Sequence, residues 1–268
     1  MCGKIVSMFV TKKELGQHWL HDAESLQAMS DGIDLKKGDT VLEIGPGLGT
    51  LTTLLTEKAT KVIAVEFDTE LAYELPSRVP AANLVVVQQD ILKFDLTTLP
   101  KDYKIAANIP YYLTSNLLRV LCESKNPFSK ASLLMQKEVA ERVTAGPGDM
   151  SILSVSVQFY CEVSLGKVVP AELFAPPPKV DSQILLLNYR KAPLFADVDA
   201  KQFFRIVKAG FAQRRKTLLN SLSAGLQLSR EETESLLETA DIFPSARAQN
   251  LSLWQWYDLY SAMYKKQA

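Results

Sequence analysis

A short apolar run, Thr40–Ile44, passes into Gly45-Pro46-Gly47-Leu48-Gly49, and helical spacing begins at once over 49–59. Three glycines between a strand pattern and a helix pattern mark a tight strand-to-helix turn. Glycine reaches left-handed backbone conformations at little cost and lets the main chain approach a ligand closely. The first helical turn then offers N–H groups that have no partner within the helix. The same alternation recurs downstream of the turn. Lys61–Glu66, Leu84–Gln88, Tyr103–Ala107 and Ala131–Gln136 read as strands; Thr69–Arg78 and Ser115–Glu123 read as helices. Strand and helix in turn predict an α/β fold, a Rossmann-like, doubly wound parallel sheet.

The pattern then loosens. Glu138–Thr144 reads as a helix, and Leu153–Tyr160 as a helix or a strand. Val163–Val169 and Gln183–Tyr189 flank Pro176-Pro177-Pro178 and suit an antiparallel pair at the sheet edge. After Arg190 only helices remain: Ala200–Phe211, Thr217–Ala224, Arg230–Ala240 and Leu253–Tyr264. A boundary in 191–199 gives a Rossmann-like domain over 1–190 and a small all-helical C-terminal domain over 191–268. Trp254, Trp256, Tyr257 and Tyr260 have helical spacing and read as the small domain's core.

Composition narrows the class. A chain of 268 residues, 47% of them hydrophobic, buries a sizeable core without staples. Cys2, Cys122 and Cys161 are far apart and odd in number, so neither a disulfide framework nor a metal site is expected. That suits a reducing cytoplasm. No apolar run approaches the roughly 18 residues of a membrane span, and the patch before Val10 is too short for a signal peptide. Lysine plus arginine equals aspartate plus glutamate, 30 against 30, so any RNA partner must be met by a local patch. One stretch qualifies. Lys201, Arg205, Lys208, Arg214, Arg215 and Lys216 fall in an acid-free run, and Glu231, Glu232, Glu234 and Glu238 come after it.

The turn has acidic company. Glu66 ends the second strand of the unit, where a carboxylate accepts from two ribose hydroxyls. That alone fits a dinucleotide or S-adenosylmethionine. Three details favour the methyl donor. Thr50 stands where a dinucleotide fingerprint wants Gly or Ala. Glu43, just before the loop, puts negative charge near a ligand's cationic end, which suits an ammonium or sulfonium better than a pyrophosphate. Asp90, after the third strand, is placed to accept from an adenine amino group. A glycine turn alone marks only a tight connection; with Glu66 and Asp90 at the ends of successive strands it marks a site.

The fourth strand ends in Asn108-Ile109-Pro110-Tyr111. The amino nitrogen of adenine is a poor nucleophile, because its lone pair is delocalised into the ring. A site must align that nitrogen with the methyl–sulfur bond and accept its N–H groups as it pyramidalises. The Asn108 oxygen and the Ile109 carbonyl can accept them. Pro110 holds the preceding residue extended, and Tyr111 can stack on a base drawn out of its helix. Asn108, Ile109, Pro110 and Tyr111 are therefore the expected catalytic residues, with no metal or general base required. Tyr112 reads as packing rather than a second stacking surface.

On these residues the chain resembles the small-subunit (16S) ribosomal RNA adenine dimethyltransferases, the KsgA family. The resemblance runs over nearly the whole chain. It rests on Lys12–Leu20 (KKELGQHWL), Glu43–Gly49, Asn108–Tyr111, Phe174–Ser182 (FAPPPKVDS) and Phe211–Asn220 (FAQRRKTLLN). It implies transfer of methyl groups from S-adenosylmethionine to two adjacent adenosines near the 3′ end of small-subunit ribosomal RNA. It also implies binding to an immature small subunit, with the helical domain helping to dock. His18, Leu20, Gly45, Gly47, Glu66, Asp90 and Asn108 would border the cofactor, with Glu43 beside them. His18-Trp19-Leu20 departs from the family's commoner Asn-Phe-Leu.

Further expectations concern RNA. Arg214, Arg215 and Lys216 are read as phosphate contacts; Lys12 and Lys13 are read as a basic tail over the substrate or equally as a mobile terminus. Asp22, next to His21, reads as a helix cap. Nothing demands more than a monomer. Rival readings are a resistance-type methyltransferase of large-subunit ribosomal RNA, an assembly factor whose catalysis is secondary, and a nicotinamide-dependent dehydrogenase.

Overall fold

The computed structural model describes residues 17–213 and 215–265, with Tyr111 described through its backbone alone. The chain forms two compact units: 1–140 with 162–189, and 141–161 with 190–268.

The first unit opens with a two-residue strand, β1 (Trp19–Leu20), and helix α1 (Ala23–Gly32). Asp22 caps α1, its carboxylate accepting from the Ser25 amide at 2.8 Å. Then come β2 (Thr40–Ile44), α2 (Thr50–Lys58), β3 (Lys61–Glu66), α3 (Thr69–Arg78), β4 (Leu84–Gln88), β5 (Lys104–Asn108), α4 (Thr114–Cys122) and β6 (Lys130–Gln136). Helices α5 (Lys137–Thr144) and α6 (Ile152–Tyr160) precede β7 (Cys161–Val169), β8 (Phe174–Ala175) and β9 (Ser182–Tyr189). The main sheet has the order β4-β3-β2-β5-β6-β9-β7. Strands β2 to β6 pair in parallel, and β9 runs antiparallel to β6. Central strands bury both faces, so β3 reads Lys-Val-Ile-Ala-Val-Glu with everything after Lys61 buried. A separate two-stranded pairing sets Trp19 opposite Ala175 and Leu20 opposite Phe174.

The strand order positions the site. The chain winds outward from β2 through β3 to β4, then crosses back to β5 on the other side of β2. The carboxyl ends of β2 and β5 are neighbours leading to divergent connections, and the crevice there is where open α/β sheets bind ligands. Ile44 pairs with Ala107 across it, so Gly45 and Asn108 leave the sheet side by side.

The second unit contains α5 from Glu141 on, α6, α7 (Ala200–Phe211), α8 (Leu218–Leu226), α9 (Arg230–Thr239) and α10 (Leu253–Tyr264). A single boundary is expected in 191–199; the fold crosses between units at 140, 161 and 189. The reason lies in α6. A reciprocal capping box of Ser151 and Ser154 starts it. Its apolar face then meets aromatics some 40 residues downstream: the Phe159 ring lies 4.8 Å from Phe203, 5.2 Å from Phe204 and 6.1 Å from Phe195. Trp256 and Tyr260 are buried in the same core, as their spacing implies, while Trp254 stays 59% exposed.

Close helix packing in this core sets a test. A Cβ at Gly210, inside α7, would lie 2.5 Å from Cη2 of the fully buried Trp256. In an open helix Gly→Ala gains about 1 kcal/mol. Here overpacking of roughly 1–3 kcal/mol opposes it. Gly210→Ala is expected to lower the denaturation midpoint; a raised midpoint would mean that Trp256 can give way.

Candidate functional site

The loop after β2 is held by the main chain. The Gly45 amide donates to the Val65 carbonyl at 2.9 Å, and the Gly49 amide to the Pro46 carbonyl at 2.9 Å. Gly45, Gly47 and Gly49 all have positive φ, at 66°, 55° and 86°. At Gly47 the need is double, since a Cβ would also sit 2.5 Å from the Trp19 ring. Gly49 is the N-cap of α2 and has no side chain with which to cap it. Thr50 and Leu51, in the first turn of α2, line the cavity beside it.

That cavity, about 260 Å³, is lined by His18, Leu20, Glu43, Gly45, Gly47, Glu66, Asp90, Asn108, Ile109 and Pro110, among others. Every described residue expected to touch cofactor or target base is thus brought to one place. The Tyr111 side chain, Lys12, Lys13 and Arg214 lie outside the described residues. Arg215 and Lys216 are exposed in the helical unit.

Glu66 is 7% exposed and uses both carboxylate oxygens on backbone amides: Gly47 at 3.1 Å and Asp68 at 2.9 Å. Burial raises its pKa above the ordinary carboxylate range, and those amides oppose the rise. Asp90 accepts from the Leu92 amide at 3.0 Å and caps a short 3₁₀ turn over Ile91–Lys93. Glu43 is 1% exposed, and its Oε2 has no hydrogen-bond partner. Burial pushes its carboxyl up to about 8; Glu66 adds to the rise, and the Thr52 hydroxyl opposes it without closing a well-aligned bond.

Asn108 ends β5 with its Nδ2 donating to the His18 carbonyl at 3.2 Å. A carbonyl only accepts, so this contact fixes which end of the amide is nitrogen. The His18 ring is held in turn, Nδ1 lying 2.7 Å from the Pro176 carbonyl oxygen and donating to it. Phe174 and Ala175, from the same proline-rich stretch, pair with Leu20 and Trp19. The FAPPPKVDS stretch thus acquires a structural role: it seats the segment that covers the glycine loop.

Several lining residues escape the sequence reading. Trp19 covers Gly47, and the Thr50 hydroxyl donates to the Leu20 carbonyl at 3.3 Å. Phe67, directly after Glu66, is 58% exposed at the cavity. Tyr112 is 60% exposed there, which overturns its reading as packing. The signal in the sequence is an aromatic directly beside a strand-end site residue: Phe67 next to Glu66, Tyr112 next to the Asn108–Tyr111 run. Among the described residues no group of three His, Cys, Asp or Glu side chains is arranged to hold a metal, and no helix is long and apolar enough to cross a membrane.

The described lining carries three carboxylates and no Lys or Arg. A pyrophosphate would meet like charge there, whereas a ligand with a cationic end would meet opposite charge. The orphaned Glu43 oxygen, the glycine cradle and the uncapped α2 start all fit S-adenosylmethionine.

Known proteins agree with this geometry. The family model described as ribosomal RNA adenine dimethylase matches residues 8–265. A ribosomal RNA small subunit methyltransferase A of Dehalococcoides mccartyi is 42% identical, over 91% of this chain and 86% of its own length. A dimethyladenosine transferase from Plasmodium falciparum superposes with a TM-score of 0.77 at 29% identity, covering 90% of this chain and 96% of its own. The 23S rRNA methyltransferase ErmE reaches 0.74 at 28% identity, covering 91% and 98%.

Glu43 makes the ligand-free fold pH-sensitive. A carboxyl raised from 4.5 to about 8 favours folding fully below pH 4.5 and loses that contribution as pH climbs through 8. Glu43→Gln keeps the shape and removes the charge. It is expected to match the parent at pH 5 and exceed it by about 3–5 kcal/mol at pH 9, read by urea denaturation at both pH values. An equal difference at the two would show that Glu43 does not ionise in this range.

Proposed function

The chain belongs to the ribosomal RNA adenine dimethylase family and is an S-adenosylmethionine-dependent adenine dimethyltransferase of small-subunit ribosomal RNA; we propose that its targets are the exocyclic amino groups of two adjacent adenosines near the RNA 3′ end, presented by an immature small subunit. The observation that carries the site assignment is the placement of Asn108. It sits at the switch point, on the wall of the cavity that gathers Glu43, Glu66 and Asp90, with its nitrogen already engaged.

S-adenosylmethionine, when bound, supplies an electrophilic methyl group on a cationic sulfur. The residues of the chain do the rest by holding and aligning. Glu66, at the end of β3, would accept from ribose hydroxyls, and Asp90 from the adenine amino group. Phe67 would cover the purine face. Gly45 and Gly47 let the backbone approach, with His18 and Leu20 closing the near side. With Nδ2 on the His18 carbonyl, the Asn108 Oδ1 is the free end of the amide. It would accept an N–H of the target amine, and the Ile109 carbonyl would accept the other. As the nitrogen pyramidalises, both acceptors stabilise the positive charge that develops on it. Correct alignment supplies much of the acceleration. The nitrogen loses its proton once cationic, so the step asks for no general base. Tyr111 and Tyr112 would stack on the extruded base.

The helical unit is assigned to RNA docking. Lys201, Arg205, Lys208, Arg215 and Lys216 are all exposed, and α7 buries Phe203, Ile206 and Val207 on its other side. The reading extends to a monomer working in the cytoplasm. Cys122 and Cys161 are buried and outside any disulfide, as a reducing compartment allows.

The decisive assay transfers labelled methyl groups to purified small subunits lacking the modification, followed by nuclease digestion and mass mapping. Dimethyladenosine is expected at two neighbouring positions near the 3′ end. Label in large-subunit RNA instead would move the protein toward enzymes such as ErmE. Asn108→Ala is expected to slow transfer by about 10²–10³-fold while subunit binding persists; unchanged transfer would refute the role given to Asn108. The double variant Arg215→Ala/Lys216→Ala should weaken subunit binding. It should also flatten the slope of log K against log salt by about 1.4–1.8, and an unchanged slope would take both residues off the RNA.

A further inference from the structure

The three carboxylates of the cavity are not alike. Glu66 holds two amides and Asp90 one. Glu43 is the most deeply buried, and its Oε2 is closed off from solvent without a hydrogen-bond partner. The groups around it give it no counter-charge. From β3 it meets Glu66, itself next to Asp68; from α2 it meets only the Thr52 hydroxyl. Asn108 on β5 is uncharged. Asp90 and His18 line the same cavity, and no Lys or Arg among the described residues does. Lys104, also on β5, lies at the start of that strand and pairs with Asp39 at 2.7 Å.

A carboxyl in such surroundings keeps its proton, because ionising it would leave a buried charge unbalanced beside a second acid. A bound cation reverses the balance, since its attraction for the carboxylate is strong where water is excluded. We propose that Glu43 reads the charge on the cofactor's sulfur: it is neutral in the ligand-free site, releases its proton to solvent when the sulfonium ligand binds, and takes a proton back once the methyl group has gone and the sulfur is a neutral thioether. The cavity would thereby tell methyl donor from spent product without any contact to the methyl group. The inference rests on reading this cavity as the S-adenosylmethionine site.

The direction with pH is set by the same balance. With the carboxyl near 8 in the ligand-free site, ionisation becomes about tenfold less favourable for each pH step below it. Preference for S-adenosylmethionine over S-adenosylhomocysteine should therefore rise with pH, by up to about tenfold from pH 6 to 7, and level off above 8. Both ligands carry the same amino-acid end, so the ratio of their affinities isolates the sulfur.

The test is calorimetric titration of the full chain with each ligand at pH 6.5, in buffers of different ionisation enthalpy, which counts protons directly. S-adenosylmethionine is expected to release close to one proton more than S-adenosylhomocysteine, and Glu43→Gln to erase the difference. Equal release from the two ligands would overturn the proposal and assign Glu43 to the shared ammonium group. A difference that survives in Glu43→Gln would overturn it in favour of Glu66 or Asp90. The comparison in the unaltered protein decides by itself should the variant fail to fold. Failure to bind either ligand would sink the cofactor reading instead.

Discussion

The hydrogen bond from the Gly47 amide to the Glu66 carboxylate, 3.1 Å long, is the contact on which the rest of the site depends. It ties the loop after β2 to the end of β3, two pieces of chain that the sheet alone leaves free to diverge. A loop with three left-handed glycines has little conformational preference of its own. Anchored by Glu66 on one side and by the Val65 carbonyl on the other, it becomes a fixed shelf. Trp19 rests on that shelf at Gly47, where no side chain would leave room for its ring. With Trp19 placed, the His18 carbonyl faces Asn108, and the acceptor end of that amide is oriented. A substitution at Glu66 would therefore disturb the glycine loop, Trp19 and Asn108 together, and its effects could not be apportioned by single variants.

Such an arrangement opposes stability. Glu43 and Glu66 are both pushed above the ordinary carboxylate range, mainly by burial. A fold selected for stability alone would place apolar or amide side chains there. Retaining two acids beneath a glycine loop makes sense when the missing positive charge arrives with the ligand. The same logic sets this site apart from a pyrophosphate site on a similar sheet, where helix-start amides meet an anion and acids would repel it.

Much of this was legible in the residues. Strands β2, β3 and β4 and helices α3, α7 and α10 have the bounds that apolar runs, spacing and caps imply. The acids at strand ends were legible for a related reason: once the sheet is parallel, the carboxyl ends must share an edge. The two-residue strands β1 and β8 were not legible. Two residues carry no periodicity, and their pairing joins Trp19 to Ala175, 156 positions apart. Helix α6 was visible as a segment, but nothing local says which core it serves; that depends on Phe195 and Phe203, far downstream. Phe67 carries no mark beyond its place after Glu66, and Tyr112 reads as packing because an aromatic beside a strand end usually packs; only exposure sets the two apart.

The segment over the glycine loop also sets what position 18 requires. His18 touches Asn108 through its backbone carbonyl, a contact indifferent to the side chain. The ring's own task is to donate from Nδ1 to the Pro176 carbonyl. An asparagine at the same place also presents an N–H donor at its δ position and can make an equivalent bond, so exchanging His for Asn preserves this seat. The backbone carbonyl, the glycine beneath Trp19 and the carbonyl of Pro176 are the fixed points, and two of the three carry no side-chain information at all. Phe174, Ala175 and Pro176 thus position the main chain that positions the Asn108 amide.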